Sequence, residues 1–157
     1  MTTGSAGVLR DVLIVDGDQP RSNSEERPVT EVAVGILIRP DGAFLLTTRP
    51  PGKAYAGHWE FPGGKLEDAE TVEQALVREL QEELGVTVTA IQRWREQLVD
   101  YPHALVRLHF CKVTAWSGKL QMCEGQLSEW QTLPVSVDPV LAGTWPVLQW
   151  MELEKNS

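Results

Sequence analysis

The stretch "GGKLEDAETVEQALVRELQEELGV", residues 63–86, decides the fold of this chain because it carries the signals for both ends of one helix. Thr71 is followed three residues later by Gln74, which is the spacing of a capping box at a helix N-terminus. Gly85 stands where a helix commonly ends with a residue in the left-handed conformation. The stretch therefore predicts a helix from about Val72 to Leu84.

The predicted helix places glutamates where apolar side chains are expected. With about 100° between successive residues, its buried side is marked by Val72, Ala75, Leu76 and Leu80. Glu79 and Glu83 fall inside this apolar stripe, and Glu82 falls on its margin. An acidic helix is ordinarily a solvated face tied by ion pairs. Like charges four residues apart are unfavourable, however, and more so where water is partly excluded, so the placement favours a binding site.

The charge of these glutamates requires a cation. Arg78 is spaced to pair with Glu82, yet one guanidinium cannot compensate three carboxylates. Carboxylate oxygens from one or two helical turns suit Mg²⁺ or Mn²⁺, and Mg²⁺ keeps coordination positions for water and phosphate oxygens. We therefore predict a Mg²⁺ site on this face, with Mn²⁺ as the alternative metal.

The composition of the whole chain excludes several classes of protein. At 157 residues and 42% hydrophobic, the chain suits one domain, and its net charge of -8 argues against binding long nucleic acid on a basic surface. Cys111 and Cys123 match no metal or redox spacing and are expected to be structural. No apolar run is long enough to span a membrane, and the start lacks the pattern of a signal peptide, so we expect a cytoplasmic protein without a membrane partner.

The N-terminal part differs from the rest. Residues 19–30 are polar and rich in Ser and Pro, and they read as a linker after a short apolar run, residues 8–15. We therefore expect residues 1–27 to be peripheral and residues 28–157 to form the domain, so that a chain beginning at Pro28 keeps its fold and activity. Two other roles stay open for the apolar run: it adds an edge strand to the sheet, or it covers a partner chain.

The remaining pattern alternates strands and helices. Asp41-Gly42 separates two apolar runs as a hairpin turn does, and further strands are expected at residues 94–100 and 104–115. Pro146 opens an apparent C-terminal helix. The strands outnumber the helices and interleave with them irregularly. The predicted class is therefore α/β or α+β, with a mixed sheet covered by helices.

The spacing of residues 64–86 resembles a known family. Gly64, five residues, Glu70, seven residues and then "RELQEELGV" match every fixed position of the Nudix box, G-x5-E-x7-R-E-U-x-E-E-x-G-U, where U is a bulky aliphatic residue. The stretches "EVAVGILI", "WEFPGGKLE" and "EGQLSEW" resemble the MutT branch, whose members hydrolyse oxidised guanine nucleoside triphosphates such as 8-oxo-dGTP. The resemblance covers roughly residues 30–153. It implies the Nudix fold, in which a mixed sheet lies between helices.

The resemblance also implies roles for particular residues. The metal ligands would be Glu79, Glu82, Glu83, the backbone carbonyl of Gly63 and, from a distant loop, Glu124. Arg78 would orient the glutamates, and Glu70 would brace the loop against the helix. Either Glu82 or Glu83 would act as the general base. His58, His103 and His109 form no cluster and are not expected to be ligands.

The substrate contacts rest partly on residue type. Arg49 and Lys65 are candidate phosphate contacts, and Glu60 and Phe61 lie in the MutT-like stretch, where Phe61 or Trp59 could stack on a base. MutT reads the oxidised guanine with an Asn just before its C-terminal helix, whereas this chain has Thr144 at that position. A hydroxyl cannot reproduce the paired donor and acceptor of a carboxamide. Thr144 is therefore either a base contact or only a helix N-cap.

Three functions fit these observations. The first is a metal-dependent pyrophosphohydrolase that converts nucleoside triphosphates, preferentially oxidised purines, to a monophosphate and pyrophosphate. The second keeps the same centre but takes another nucleoside diphosphate derivative, such as ADP-ribose, a dinucleoside polyphosphate or capped RNA. The third is a Nudix domain that senses a ligand or binds a protein without catalysis. The expected partner is a small nucleotide substrate, and the protein is expected to be a monomer or a homodimer.

Overall fold

Two β-sheets and two helices build the described part of the protein. The computed structural model describes residues 12–18, 21 and 27–156. The strands are β1 (Val12–Ile14), β2 (Val29–Leu37), β3 (Phe44–Thr48), β4 (Trp59–Glu60), β5 (Gly63–Lys65), β6 (Thr87–Asp100), β7 (Leu105–Ser117) and β8 (Ser128–Gln131). The helices are α1 (Val72–Leu84) and α2 (Trp145–Lys155), and a 3-10 turn, Ala142–Thr144, leads into α2.

The larger sheet is mixed, as the sequence predicted. Its order is β1-β6-β7-β2-β5, with β2 parallel to β7 and β6 antiparallel to β7. The smaller sheet, β4-β3-β8, is antiparallel throughout. The α+β class with a mixed sheet is therefore confirmed.

Alternate side chains of β2 face two different helices, because successive residues of a strand point to opposite sides of the sheet. Ala33 and Leu37 belong to the apolar cluster that contains Leu76 and Leu80 of α1. Val34 and Ile36 belong to the cluster that contains Val147 and Leu148 of α2. The larger sheet thus lies between the helices, and one face of α1 packs against it.

Helix α1 has the predicted bounds. The Thr71 hydroxyl accepts a hydrogen bond from the Gln74 amide at 3.1 Å, and the Gln74 side chain accepts one from the Thr71 amide at 2.9 Å. Gly85 ends the helix with a φ of 69°. Helix α2 begins at Trp145, one residue before the predicted opening at Pro146.

The turn at Asp41-Gly42 joins strands that do not form an extended hairpin. Ile38, which follows β2, and Phe44, the first residue of β3, form one antiparallel bridge, and the two strands belong to different sheets. The turn itself is well formed, since the Asp41 carboxylate accepts a hydrogen bond from the Ala43 amide at 3.1 Å. The predicted strands and turn are present, but the sheets that the strands join depend on distant segments.

The N-terminal segment joins the larger sheet where it is described. Strand β1 pairs in parallel with the end of β6, from Val12 opposite Leu98 to Ile14 opposite Asp100. Strand β1 is therefore the added edge strand that was one alternative for the apolar run. Residues 8–11 of that run lie outside the described residues. The boundary predicted at Pro28 stays a prediction. Among the described residues, neither helix combines the length and the apolar character that crossing a membrane requires.

Candidate active site

A cavity of about 550 Å³ gathers most of the residues that the sequence singled out. The metal candidates Gly63, Glu79, Glu83 and Glu124 line it, and so do the substrate candidates Arg49, Glu60, Phe61, Lys65 and Thr144. These residues come from both sheets, from α1, from the loop before β8 and from the turn before α2. Such a cavity is within the size range of small-molecule sites in proteins.

The carboxylates of α1 meet at the cavity without enough positive charge nearby. Glu83 is buried, and its carboxyl shares a hydrogen bond with that of Glu79. Burial first, and then this hydrogen bond, raise the pKa of Glu83 well above its ordinary value, and the negative charges of Glu124 and Glu60 add to the shift. Burial beside other carboxylates favours the neutral form of this carboxyl group, and a bound cation would favour its charged form.

Arg78 holds the outer side of this cluster. Its guanidinium donates two hydrogen bonds of 2.8 Å to Glu70, one of 2.8 Å to Glu79 and one of 3.0 Å to the carbonyl of Lys65. Glu82 lies 3.5 Å from the same guanidinium, with its side chain 56% exposed. Hydrogen bonds from Arg78 and from the Glu67 amide lower the pKa of Glu70 to about 2. Arg78 and Glu70 therefore tie α1 to the loop after β5.

The two glycines before the helix make room for the cluster. A Cβ on Gly64 would lie 2.2 Å from the carboxyl carbon of Glu79, and one on Gly63 would lie 2.0 Å from the carbonyl oxygen of Ala33. Both distances are far shorter than atoms tolerate. Gly63 therefore lets β5 approach β2, and Gly64 leaves room for the Glu79 carboxylate.

Gln126 joins the loop of Glu124 to α1 through hydrogen bonds. No role was predicted for Gln126 from the sequence. Its side-chain amide donates to the carbonyl of Glu83 at 3.1 Å and accepts from the amide of Glu124 at 2.9 Å. The amide of Cys123 donates to the same Glu83 carbonyl at 3.0 Å. The loop is therefore joined to the C-terminal end of α1. The only available signal was the position of Gln126 inside "EGQLSEW".

The basic side of the cavity is formed around Arg49. Its guanidinium lies 3.1 Å from Glu60 and donates to the carbonyl of Ala54 at 2.6 Å. Burial raises the pKa of Glu60, against the opposing effect of the Arg49 charge. Lys65 and Lys53 also line the cavity, although the sequence had singled out only Lys65. These cations thus line the same cavity as the carboxylates of α1.

Apolar and aromatic residues also line the cavity. Phe61 is buried and packs against Phe44 at 5.7 Å between ring centroids, whereas Trp59 packs in the core and does not line the cavity. Thr144 is 3% exposed and its side chain makes no capping hydrogen bond to α2. The interpretation of Thr144 as only an N-cap is therefore not supported. Its hydroxyl group belongs to a residue of the cavity wall.

The donor set fits a hard divalent cation even though no ligand cage is preassembled. Within residues 12–18, 21 and 27–156, no three His, Cys, Asp or Glu side chains converge in a ready metal geometry. Arg78 holds Glu79, and Glu82 is turned toward the same guanidinium. The cluster nevertheless supplies carboxylate oxygens and an excess of negative charge, which suit Mg²⁺ or Mn²⁺.

Comparison with known proteins identifies the family. Residues 29–151 match the family described as NUDIX domain. Because this match covers most of the chain, the protein belongs to the NUDIX family.

Several named proteins resemble the chain at moderate identity. An 8-oxo-dGTP diphosphatase of Escherichia coli K12 is 37% identical over 120 residues, which cover 71% of this chain and 93% of that protein. A CTP pyrophosphohydrolase of the same organism is 40% identical over 97 residues, covering 62% and 72%. A solved MutT structure from work on Aliivibrio salmonicida and Vibrio cholerae superimposes with a TM-score of 0.65 at 33% identity, covering 80% and 98%.

Proposed function

We propose that the protein is a metal-dependent pyrophosphohydrolase that converts nucleoside triphosphates, preferentially oxidised purines such as 8-oxo-dGTP, to a monophosphate and pyrophosphate. The observation that carries this proposal is the pair of buried Glu83 and half-buried Glu79 at the edge of a cavity that also presents Arg49 and Lys65. The carboxylates of this cluster carry more negative charge than Arg78 compensates, and the same cavity presents cations for phosphate, so its lining suits a polyphosphate bound through Mg²⁺. The relatives named 8-oxo-dGTP diphosphatase supply the substrate class.

The metal ligands in this proposal come from three segments. Glu79, Glu82 and Glu83 come from α1, Glu124 comes from the loop before β8, and Gly63 offers its backbone carbonyl from β5. When bound, Mg²⁺ or Mn²⁺ neutralises phosphate charge and lowers the pKa of a coordinated water. Arg78 keeps the Glu79 carboxylate in place, and Glu70 keeps Arg78 in place.

The protein groups carry the proton and hold the substrate. Glu82 or Glu83 accepts a proton from the attacking water. Substitution takes place at a phosphorus inside the polyphosphate chain of the substrate. Arg49 and Lys65, which line the cavity, bind phosphate oxygens. Phe61 and Thr144 lie on the part of the cavity wall where the base is expected, and Glu60 holds Arg49. Such a protein acts on the nucleotide pool, and we therefore propose that it is cytoplasmic. We also propose that it is a monomer or a homodimer.

The decisive experiment is a nucleotide panel with product identification. We expect release of pyrophosphate from 8-oxo-dGTP, loss of activity with excess chelator and recovery with Mg²⁺ or Mn²⁺. Full activity in excess chelator would refute the metal mechanism. Turnover of ADP-ribose, a dinucleoside polyphosphate or capped RNA in place of any triphosphate would move the protein to another NUDIX activity. Binding without turnover would indicate a ligand sensor.

CTP is a second candidate substrate. One relative is named CTP pyrophosphohydrolase, and Thr144 replaces the Asn that reads oxidised guanine in MutT. We expect kcat/KM for 8-oxo-dGTP to exceed that for dGTP, and Thr144→Asn to widen the margin, by up to roughly a hundredfold, if the side chain faces the base. CTP belongs in the same panel. Equal efficiency on 8-oxo-dGTP and dGTP would remove the preference for oxidised purines.

A further inference from the structure

The described N-terminal segment lies before the residues that match the NUDIX family, yet it reaches the wall of the cavity. The family match begins at residue 29. The hydroxyl of Tyr55, which lines the cavity, donates a hydrogen bond of 2.5 Å to Asp16. A segment outside the family match therefore touches the loop between β3 and β4, which carries residues of the basic side.

Asp16 is held firmly enough to act as an anchor. The guanidinium of Arg21 donates to the carbonyls of Val15 at 2.8 Å and Asp16 at 2.7 Å. The same guanidinium donates to Asp100 at the end of β6, at 2.8 Å to the carboxylate and 2.9 Å to the carbonyl. The amide of Val15 also donates to the carbonyl of Asp100 at 2.9 Å. The turn that carries Asp16 is thus fixed to the larger sheet.

The loop that Tyr55 belongs to needs such an anchor. Tyr55 has a φ of 59°, in the left-handed region that is unfavourable for a bulky side chain. Next to it, Ala54 accepts the 2.6 Å hydrogen bond from Arg49, and Gly57 donates to the carbonyl of Arg49 at 2.9 Å. Lys53, one further residue back, lines the cavity. The conformation at Tyr55 therefore fixes where the basic side of the cavity lies.

Tyr55 also contacts two aromatic residues outside its own loop. Its ring lies 5.6 Å from that of Tyr101 and 5.9 Å from that of His103, and all three residues line the cavity. The hydroxyl of Tyr101 accepts a hydrogen bond of 3.0 Å from the amide of Gly143, the residue before Thr144. These aromatic rings therefore lie between the loop of Arg49 and the turn of Thr144.

From these contacts we infer that the hydrogen bond between Asp16 and Tyr55 is a latch that positions the loop of residues 49–58 for binding of the substrate polyphosphate. Asp16 and Tyr55 are positioning residues, because they act through Arg49 and Lys53 and not on the reacting atoms. Loss of the latch weakens binding more than it slows the chemical step. The inference rests on the proposed function for the identity of the substrate.

The test compares Asp16→Ala and Tyr55→Phe with the wild-type full chain. Each variant removes one partner of the latch, and Tyr55→Phe keeps the ring against Tyr101 and His103. We expect KM for the preferred nucleoside triphosphate to rise roughly five- to tenfold, with kcat changed less than about twofold. The double variant should be no worse than either single variant, because both remove the same hydrogen bond.

Two further variants separate positioning from a general loss of structure. Asp16→Asn keeps an oxygen that can accept from Tyr55 and should restore most of the wild-type KM. Asp18→Ala removes an exposed carboxylate from the same turn and should leave KM unchanged. If Asp18→Ala raises KM as much as Asp16→Ala does, the effect is one of charge and the latch is refuted.

Amide hydrogen exchange supplies a readout that does not need turnover. The loop amides of Ala56, Gly57 and His58 donate within the loop at 3.2, 2.9 and 3.0 Å, so release of Tyr55 should speed their exchange. If the wild type hydrolyses no nucleotide in the panel, the proposed function fails and exchange alone decides the latch. Unchanged exchange at these amides in both Asp16→Ala and Tyr55→Phe overturns the inference, whatever the activity.

Discussion

Two buried carboxyl groups of this protein have opposite surroundings. The Asp100 side chain, 3% exposed, receives hydrogen bonds from the amide and guanidinium of Arg21 and from the guanidinium of Arg27, at 2.7–2.8 Å. Burial acts to raise its pKa, but these hydrogen bonds outweigh burial and lower the pKa to about 2. Glu83 is similarly buried but faces Glu79, Glu124 and Glu60, and its pKa is raised.

The contrast separates a structural carboxylate from a binding one. Asp100 receives three hydrogen bonds within the protein, two of them from guanidinium groups that compensate its charge. Glu83 has carboxyl neighbours that cannot all be charged together without help from outside the chain. Variants of the two residues should therefore differ in what they damage.

The largest expected effect is on turnover at Glu83. Glu83→Gln keeps the shape and the hydrogen-bonding capacity of the neutral acid but cannot become a metal ligand with negative charge or a base. We expect kcat to fall about 10²–10⁴-fold. The matched control is Glu73→Gln on the same helix, whose exposed side chain lies 3.7 Å from Arg93. Steady-state kinetics decide the matter, and near-normal turnover by Glu83→Gln would remove Glu83 from the catalytic centre.

The next effect is on stability at Asp100. Asp100→Asn leaves the guanidinium groups of Arg21 and Arg27 without their shared anion, and we expect a loss on the order of 2 kcal/mol in the free energy of unfolding. Urea denaturation of the metal-free protein measures it. Asp41→Asn, at an exposed pair with Arg39, should change stability little. Equal behaviour of the two variants would contradict the structural role given to Asp100.

The pH dependence of stability should run in opposite directions for the two groups. The pKa of Asp100 is lower in the folded state, so its contribution is complete above about pH 4 and is lost as pH falls toward 2. The pKa of Glu83 is higher in the folded state, so its contribution is complete below about 4.5 and is lost as pH rises.

Each slope is at most about 1.4 kcal/mol per pH unit. Without metal, Glu83→Gln should therefore gain stability relative to the wild type as pH rises above 4.5. The difference in stability between Asp100→Asn and the wild type should instead disappear as pH falls below 4. Unfolding curves of the three proteins across pH test both signs. A constant difference across pH for either variant would show that its carboxyl keeps an ordinary pKa.

The smallest effect should come from removing one of the two guanidinium groups that bind Asp100. Arg27→Ala leaves Arg21 in place and should cost about 1 kcal/mol or less, because both arginine side chains keep some contact with water. Urea denaturation beside Asp100→Asn measures the difference. A cost equal to that of Asp100→Asn would mean that Arg27 alone holds the carboxylate.

The contacts of Asp100 also change an expectation drawn from the sequence. A chain beginning at Pro28 was predicted to keep fold and activity, but it lacks β1, Asp16, Arg21 and Arg27 together. We now expect such a chain to be destabilised by more than Arg27→Ala alone, and to bind nucleotide more weakly. Full stability and an unchanged KM in the truncated chain would restore the prediction that residues 1–27 are peripheral.

Most of the candidate site could be read from the sequence because its signals lie within one helix and the loop before it. The spacing that puts Glu79 and Glu83 on one face is a property of the helical repeat, and the cap residues that end the helix are its neighbours in the chain. The spacing predicted that Arg78 pairs with Glu82, but the shortest contacts of Arg78 are with Glu70 and Glu79, and Glu82 lies farther away at 3.5 Å. The interpretation of Thr144, by contrast, depended on a cavity that the sequence does not display.

What the sequence by itself determined is the local part: the bounds of α1, the acidic face it presents and the mixed class of the fold. What only the tertiary structure decided is which distant groups meet that face. Gln126 reaches Glu83 across 43 residues, and Arg21 reaches Asp100 across 79. Hydrogen bonds of this kind leave no periodic trace in the chain, because they depend on where folded segments come to lie and not on the spacing of neighbours. The helical face follows from 3.6 residues per turn, whereas the partners of each buried carboxyl follow only from the packing of the sheets.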